Sequence, residues 1–202
     1  TSDNTNLVPH PAVTYTSAES IGSLAFTPAS DADGSSIITV TVEAGGPDGD
    51  LDTTADNTTT SEAFTVTVNP VNDLPTLAAL LNGTLAEDAS EQTVNLSGIT
   101  AGGGESQPLR VTATSDNTDL IANPVVTYTS AEATGSLKFT PLSNANGGAV
   151  ITVTVEDGGL DGNLNTAGDN LTHSETFTVT VNAVNDLPTL ASLPNLNINE
   201  DA

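Results

Sequence analysis

The chain has 202 residues, of which 26 are acidic and only Arg110 and Lys138 are basic, so its formal net charge is −24. This charge argues against nucleic acid and anionic membrane surfaces as partners, because both attract a basic protein face. Cysteine is absent, which excludes disulfides and leaves the redox compartment undetermined. Acidic chains with few aromatic residues are often disordered, but the strict apolar patterning of this chain favours a folded one.

A repeat with an offset of 113 residues organises the chain, since Thr1–Leu7 (TSDNTNL) returns as Thr114–Leu120 (TSDNTDL). Residues 1–89 align with residues 114–202 without a gap. An offset of this size fits one independent domain, typically ~100–150 residues. The alignment predicts three parts: an incomplete repeat over 1–74 that lacks its first strands, a complete repeat over 75–187, and the first strand of a following repeat over 188–202.

Short runs of Val, Ile, Thr, Phe and Tyr with period-two alternation predict the strands of the complete repeat. In chain order the predicted strands are Thr76–Leu80, Gln92–Ile99, Leu109–Thr114, Val125–Thr129, Ser136–Thr140, Ala149–Val155 and Thr176–Val181. Gly, Asn and Asp separate the runs. Short strands at this spacing predict an all-β fold, an antiparallel two-sheet sandwich in each repeat.

A short acidic loop precedes the longest predicted strand. It reads Asp31-Ala-Asp33-Gly34 in the first repeat and Asn144-Ala-Asn146-Gly147 in the second. Such a sequence binds calcium in some proteins and is an ordinary hairpin turn in others. The turn is favoured in the second repeat, where both acids are amides, and both interpretations stay open at Asp31 and Asp33.

A second, richer loop lies between the last two strands, with acidic or amide side chains at its positions 1, 3, 5 and 9. They are Asp48, Asp50, Asp52 and Asp56 in the first repeat, and Asp161, Asn163, Asn165 and Asp169 in the second. Calcium takes six to eight oxygen ligands, which such a loop can supply. The loop lacks the glycine and the glutamate that complete an EF-hand, and a solvated polar turn is the alternative.

The junction between repeats carries a family resemblance. Val-Asn-Asp-Leu-Pro occurs at Val71–Pro75 and at Val184–Pro188, and Glu-Asp follows at Glu87 and Glu200. Together these motifs resemble the bacterial cadherin-like and Ig-like tandem repeats of large surface adhesins and extracellular fibres, over the whole chain. The resemblance implies a Greek-key sandwich and calcium ions between successive domains.

The resemblance also implies which residues bind calcium. It groups five of them below the complete repeat: Glu87, Asp88, Asp157, Asn185 and Asp186. Glu200 and Asp201 would serve the following repeat. At the junction within this chain Asn72 and Asp73 match the linker, with Asp116 as a candidate partner. The linker lacks the first Asp and the last Asn of the cadherin motif, and Ala44 stands where the second repeat has Asp157, so the sites are expected to be unequal.

Catalysis finds little support, because His10 and His173 are not at equivalent positions and no nucleophile motif is present. A carboxylate pair for glycoside hydrolysis stays open. We expect a non-enzymatic, calcium-rigidified extracellular repeat that forms a rod or fibre at the cell surface. The expected partners are neighbouring identical repeats, assembled head to tail, and a cell-surface or glycan ligand, without membrane insertion. The alternatives are a filament subunit completed by strand exchange and a glycan- or protein-binding module.

Overall fold

A computed structural model describes residues 1–17 and 19–200 of the chain. Within this part the chain forms eleven β-strands and no helix. They are β1 (Ala12–Thr14), β2 (Ser23–Ala25), β3 (Gly34–Ala44), β4 (Thr58–Val68), β5 (Gly83–Ala86), β6 (Gln92–Ser97), β7 (Leu109–Ser115), β8 (Val125–Thr127), β9 (Thr134–Phe139), β10 (Gly147–Asp157) and β11 (Thr172–Asn182). The all-β prediction is therefore confirmed.

The second repeat forms two sheets. One has the strand order β5-β11-β10-β7, and the other has the order β6-β9-β8 with antiparallel pairing throughout. Strand β5 pairs in parallel with β11, from Val179 opposite Gly83 to Asn182 opposite Ala86. The rings of Phe139 in β9 and Phe177 in β11 lie 6.5 Å apart, so side chains of the two sheets meet in one core.

Strand β10 shows why these residues form a sandwich. Alternate residues are buried along it, from Ala149 through Ile151 and Val153 to Val155, because successive strand side chains point to opposite faces. The intervening threonines are half-buried. Burying these apolar side chains is the main driving force for folding of the second repeat.

The first repeat contains the counterparts of four of these strands. Strands β3 and β4 pair antiparallel over their full length, from Gly34 opposite Val68 to Ala44 opposite Thr58. Strands β1 and β2 form a separate two-stranded sheet. A small apolar cluster of Leu7, Val8 and Ile38 is buried beside β3.

The same side chains differ in burial between the two repeats. Phe177 is 2% exposed and its counterpart Phe64 is 43% exposed, while Val155 and Val42 are 0% and 58% exposed. Both pairs are identical in residue type and occupy equivalent positions. The inward face of β3–β4 is therefore exposed around Val42 and Phe64, whereas the equivalent part of the second repeat is buried.

Two compact units can be described separately. Unit 1 comprises Thr1–Pro75, Thr100–Leu109 and Glu156–Thr172, and unit 2 comprises Thr76–Ile99, Arg110–Val155 and His173–Ala202. Two loop segments of the second repeat, 100–109 and 156–172, therefore cluster with the first repeat and with residues 70–75, which we call the linker.

One predicted strand is wrong. Thr76–Leu80 does not form a strand, and the first strand of the second repeat is β5, at Gly83–Ala86. Instead, the hydroxyl of Thr76 donates to the carbonyl of Gly98, and the backbone N–H of Ala78 donates to Ser97. The sequence of β5 is short and begins with glycine, which is rare in strands, so its pattern gave no signal.

Candidate metal centre

Asp157 is a fully buried carboxylate at the end of β10. Its Oδ1 accepts hydrogen bonds from the backbone N–H groups of Gly159 and Leu171, both at 2.9 Å, and from the side-chain amide of Asn72 at 3.1 Å. Its Oδ2 is buried and has no hydrogen-bond partner in the described part of the chain. Oδ1 therefore has three hydrogen-bond donors, whereas Oδ2 has none among the described residues.

The position of Asp157 follows from the alternation along β10. It continues the inward series that runs through Val153 and Val155, so the strand carries its side chain to the buried side. A carboxylate in such a place loses its hydration, which costs several kcal/mol unless a cation or enough donors replace the water. The unsatisfied Oδ2 is where that replacement is incomplete.

The linker supplies Asn72 to this centre. Its Nδ2 donates to Asp157 Oδ1 and to the backbone carbonyl of Asp169 at 2.8 Å, and its Oδ1 accepts from Nε2 of Gln107 at 2.7 Å. The same Nε2 lies 3.0 Å from Oε2 of Glu105. The amide oxygen of Gln107 is buried without a partner among the described residues, so the centre holds a second unsatisfied oxygen.

Asp73 and Leu74 bring the linker close to the glycine-rich segment. The backbone N–H of Asp73 donates to Oε2 of Glu105 at 3.3 Å. A Cβ on Gly102 would lie 2.3 Å from the carbonyl oxygen of Leu74, and Gly102 has φ +94. Glycine is required there because a side chain would collide with the linker backbone.

A cavity of about 240 Å³ lies in unit 1 next to the linker. Four carboxylate residues, Asp31, Asp33, Asp73 and Glu105, line it together with apolar and backbone groups. The structure thus brings the acidic turn of the first repeat and the linker acid to one cavity. No group of three or more His, Cys, Asp or Glu side chains is close enough to hold a metal ion among the residues described.

The structure does not bring together all five residues that the resemblance groups, and their binding of calcium stays a prediction. The resemblance placed Asp157 with Glu87, Asp88, Asn185 and Asp186, whereas Asp157 is bonded to the linker residue Asn72. The reason is the length of β10. The first residues of β10 follow Asn144 and Asn146, which bond Asp88 and Glu87 respectively. Asp157 is the last residue of β10, roughly 33 Å along the strand at about 3.3 Å per residue.

Glu87 has its own set of contacts in unit 2. It is 7% exposed, and its Oε1 accepts from the backbone N–H of Val184 at 2.6 Å. Its Oε2 lies 3.4 Å from Nδ2 of Asn146, and its own N–H donates to the carbonyl of Asn182. Asp88 accepts from the N–H of Asn144 at 3.1 Å. These acids close the turn before β10 onto the end of β11.

The remaining junction residues are dispersed. Asn185, Asp186 and Glu200 are exposed, and Asp201 lies outside the described residues. Asp116 accepts a hydrogen bond from the N–H of Val150 at 2.7 Å. Its counterpart Asp3 accepts from Ile37 at the same distance, so this aspartate braces the start of the long strand in both repeats.

The two richer acidic loops are chains of local turns. Asp48 accepts from the N–H of Asp50, and Asp50 accepts from that of Asp52. The second loop repeats the pattern, from Asp161 to Asn163 to Asn165. The carboxylates of Asp56 and Asp169 each cover a glycine, Gly46 and Gly159 respectively. Side chains at positions 1 and 3 therefore bond their own loop backbone, and calcium binding by these loops stays a prediction.

We expect the first loop to lose order in acid through Asp48. The backbone N–H of Asp50, and then the hydroxyl of Thr53, lower the pKa of Asp48 from 3.8, against a smaller opposing effect of desolvation. A lowered pKa means that the carboxylate stabilises the fold above its unfolded pKa and that this stabilisation is lost as the pH falls through the folded value. An NMR titration of the Asp48 carboxyl should give a midpoint below 3.8. Thr53→Val should move that midpoint upward, and a wild-type midpoint at or above 3.8 would contradict the loop geometry.

Two contributors to the centre, Glu105 and Gln107, were not expected from the sequence. Both lie in the segment 90–113, which has no counterpart within residues 1–89, so comparing the repeats could not single them out. For Asp157 a signal existed, because it stands in register with the apolar series of β10.

Comparison with known proteins gives only distant structural similarity. No known protein family and no curated protein matches the chain. Domains 4 and 5 of the S-layer protein SbsC align at 14% identity and a TM-score of 0.39, over 74% of this chain and 65% of that one. SbsC domains 1–6 align at 14% identity and a TM-score of 0.41, over 92% and 20%. A PapD-like domain of human CEP192 aligns at 11% identity and a TM-score of 0.33, over 58% and 92%. The chain spans less than two thirds of either SbsC structure.

No helix in the described residues is long and apolar enough to cross a membrane.

Proposed function

We propose that this chain is a structural repeat of an extracellular rod or fibre, in which calcium clamps the linker onto the loops of the second repeat. The cation binds beside Asp157, with the linker and the segment 100–109 supplying further oxygens. The chain's role is mechanical and it performs no catalysis.

The buried Oδ2 of Asp157 is the observation that carries this proposal. A desolvated negative oxygen without a donor is an unstable arrangement on its own, and a divalent cation compensates for it directly. Gln107 offers a second buried oxygen without a partner, and Asn72 bonds both residues. Carboxylate, amide and carbonyl oxygens are the ligands that calcium prefers.

The overall charge favours the same conclusion. With a net charge of −24, the folded chain repels itself, and bound divalent cations reduce that repulsion. Sites in extracellular modules bind calcium with dissociation constants of about 10⁻⁴–10⁻³ M. At a hundredfold excess over such a constant, calcium stabilises the folded state by about 2.7 kcal/mol.

The test is the sign of the effect of Asp157→Asn. Asparagine keeps an oxygen for the three N–H donors and removes the buried charge. In EGTA the variant should melt at the wild-type temperature or above it. In 10 mM calcium, roughly a hundredfold excess over a 0.1 mM dissociation constant, the wild type should melt several degrees higher than the variant. Differential scanning calorimetry with and without calcium measures both.

Asp116→Asn is the matched control. Asp116 also accepts a backbone N–H, from Val150, and asparagine keeps that acceptor oxygen too, so Asp116→Asn should change the melting temperature by the same amount with and without calcium. If Asp157 only braces N–H donors, Asp157→Asn will behave in the same way and calcium will leave the wild-type melt unchanged. That result would refute the proposed clamp.

A glycan- or protein-binding module is the second candidate, and it has less support. Such modules present exposed aromatic residues, and this chain has two tyrosines and four phenylalanines. Tyr15 is 54% exposed, but its counterpart Tyr128 in the second repeat is half-buried, so the two repeats do not present a shared aromatic surface. A glycan array with the chain kept in EGTA distinguishes this candidate from the rod.

A further inference from the structure

The outward face of the four-stranded sheet in the second repeat is rich in hydroxyl groups. Alternate residues of β10 and β11 are buried, from Ile151 to Val155 and from Phe177 to Val181, so the residues between them point outward. Thr84 of β5, which pairs with Thr180, extends this hydroxyl surface at one side. We call the outward residues in the middle of β10 and β11 the threonine face: Thr152, Thr154, Ser174, Thr176, Thr178 and Thr180.

The threonine face carries no charge in a chain whose net charge is −24. The outward charged residues on the strands of this sheet are Arg110 at the start of β7 and Glu156 near the end of β10, one of each sign. Two copies of so acidic a chain repel each other. Copies that meet through the threonine face bring no carboxylates of that face together.

Hydroxyl groups make the threonine face complementary to a copy of itself. Each hydroxyl both donates and accepts hydrogen bonds, so two identical faces satisfy each other without a partner of different chemistry. Thr154 Oγ1 and Ser174 Oγ lie 2.8 Å apart, so hydroxyls of neighbouring strands are already in hydrogen-bonding distance. Threonine has few χ1 rotamers, and ordering such side chains on contact therefore costs little entropy.

We propose that two copies of this chain associate side by side through the threonine face, with the two sheets packed face to face about 10 Å apart. The contact is isologous, because the same patch lies on both copies. Thr152 and Thr176 lie near the centre of the patch, since β10 spans Gly147–Asp157 and β11 spans Thr172–Asn182.

The size of the sheet sets the strength of this contact. Its four strands cover about 500 Å² per copy at about 3.3 Å per residue and about 4.8 Å between strands. Two copies therefore bury about 1,000 Å², which is the lower end of the range for a specific interface. A single pair of faces is thus expected to associate weakly.

The first repeat keeps these hydroxyls at equivalent positions. Thr39 and Thr41 of β3 correspond to Thr152 and Thr154, and the hydroxyl of Thr41 lies 2.7 Å from that of Ser61. Weak contacts that recur along two rods add up, because each contact raises the local concentration of the next. Bundling of rods follows from this addition. It rests on the rod proposed above, whereas association through one face does not.

An NMR dilution series in EGTA locates the contact on the wild-type chain. Raising the protein concentration to about 1 mM should shift the amide signals of Thr152 and Thr176 along one common binding curve. Asn95 is the reference, because it is exposed on β6 in the other sheet of the same repeat, and its signal should stay in place. Signals that stay in place at Thr152 and Thr176, or that shift equally at Asn95, would overturn the proposal.

Charge insertion tests the same face by sedimentation equilibrium. Thr39→Glu with Thr152→Glu places a carboxylate on the face in each repeat, and should weaken association at least about tenfold. The matched control is Ser23→Glu with Ser136→Glu, which adds the same charge at equivalent outward positions of β2 and β9. The control should weaken association by less than about twofold. Equal weakening by the two double variants would contradict a contact through the threonine face.

Sodium chloride distinguishes this contact from one made by ion pairs. Salt screens the repulsion between acidic copies. In EGTA, association should therefore tighten at least about threefold between about 0.05 M and about 0.5 M sodium chloride. Association that weakens over this range would mean that opposite charges hold the copies together, and would overturn the proposal.

The use of EGTA separates this proposal from the calcium clamp at Asp157. A wild-type melt that responds to calcium in a chain that stays monomeric leaves the clamp standing and removes the contact through the threonine face. Association through the threonine face in a chain whose melt ignores calcium does the reverse.

Discussion

Phe177→Ala should destabilise the second repeat by about 3–5 kcal/mol, while Phe64→Ala should destabilise the first by about 1 kcal/mol or less. The two phenylalanines occupy equivalent positions, but Phe177 is 2% exposed and packs against Phe139, whereas Phe64 is 43% exposed. Deleting a buried ring leaves a cavity that the two sheets cannot close, and deleting an exposed ring leaves none.

Each repeat holds one of the two tyrosines, Tyr15 and Tyr128, so the repeats can be followed separately. Tyrosine fluorescence during guanidinium unfolding reports the second repeat in a Tyr15→Phe background and the first in a Tyr128→Phe background. Equal losses of unfolding free energy for the two phenylalanine variants would show that the β3–β4 face is covered in solution.

Gly102→Ala should have the second large effect, on the linker. Its Cβ would lie 2.3 Å from the carbonyl oxygen of Leu74, and the backbone is held at φ +94. Because the collision involves the backbone, no side-chain rotation relieves it, and the linker must move away from segment 100–109. We expect a loss of more than about 3 kcal/mol in the local stability of this segment, from backbone strain and steric overlap together.

Gly104→Ala is the matched control, since Gly104 also has a positive φ, +79, but a Cβ there meets nothing within 4 Å. It should cost only the strain of the left-handed conformation, about 1–2 kcal/mol. Hydrogen exchange at the N–H of Asp73, which donates to Glu105, measures the local opening in both variants. Similar exchange rates in the two variants would contradict the close approach of Gly102 to the linker.

The sequence predicted the fold well because its main signals are periodic. The period-two alternation of runs such as Ala149–Val155 follows from geometry that every strand shares, and the offset of 113 residues has the size of one domain. The first strand was misplaced, because Thr76–Leu80 has the composition of a strand but forms none in the structure; its contacts include the Thr76 hydroxyl to Gly98 and the Ala78 N–H to Ser97. Which short apolar run joins the sheet depends on pairing with β11, a contact far away in sequence.

The candidate centre was predictable only in part. The resemblance grouped Asp157 with Glu87 and Asp88, whereas in the structure Asp157 bonds Asn72, because sequence spacing does not show at which end of β10 each motif lies. Gln107 and Glu105 contact the linker residues Asn72 and Asp73 because the glycine-rich segment packs against the linker. No local sequence pattern predicts this contact. The acidic loops 48–57 and 161–170 carry the stronger motif. Yet the side chains at their first positions, Asp48 and Asp161, accept hydrogen bonds from the backbone of their own loops.

The parallel pairing of β5 with β11 has a mechanical consequence. Strand β5 opens the second repeat and β11 closes it, and they run in the same direction with four residue pairs in register. Tension applied to the two ends of this repeat therefore pulls the strands along each other, so all the hydrogen bonds of the ladder resist at once. An antiparallel closing pair would instead be peeled apart one bond at a time. Under such tension the ladder between β5 and β11 would be loaded in shear along its whole length.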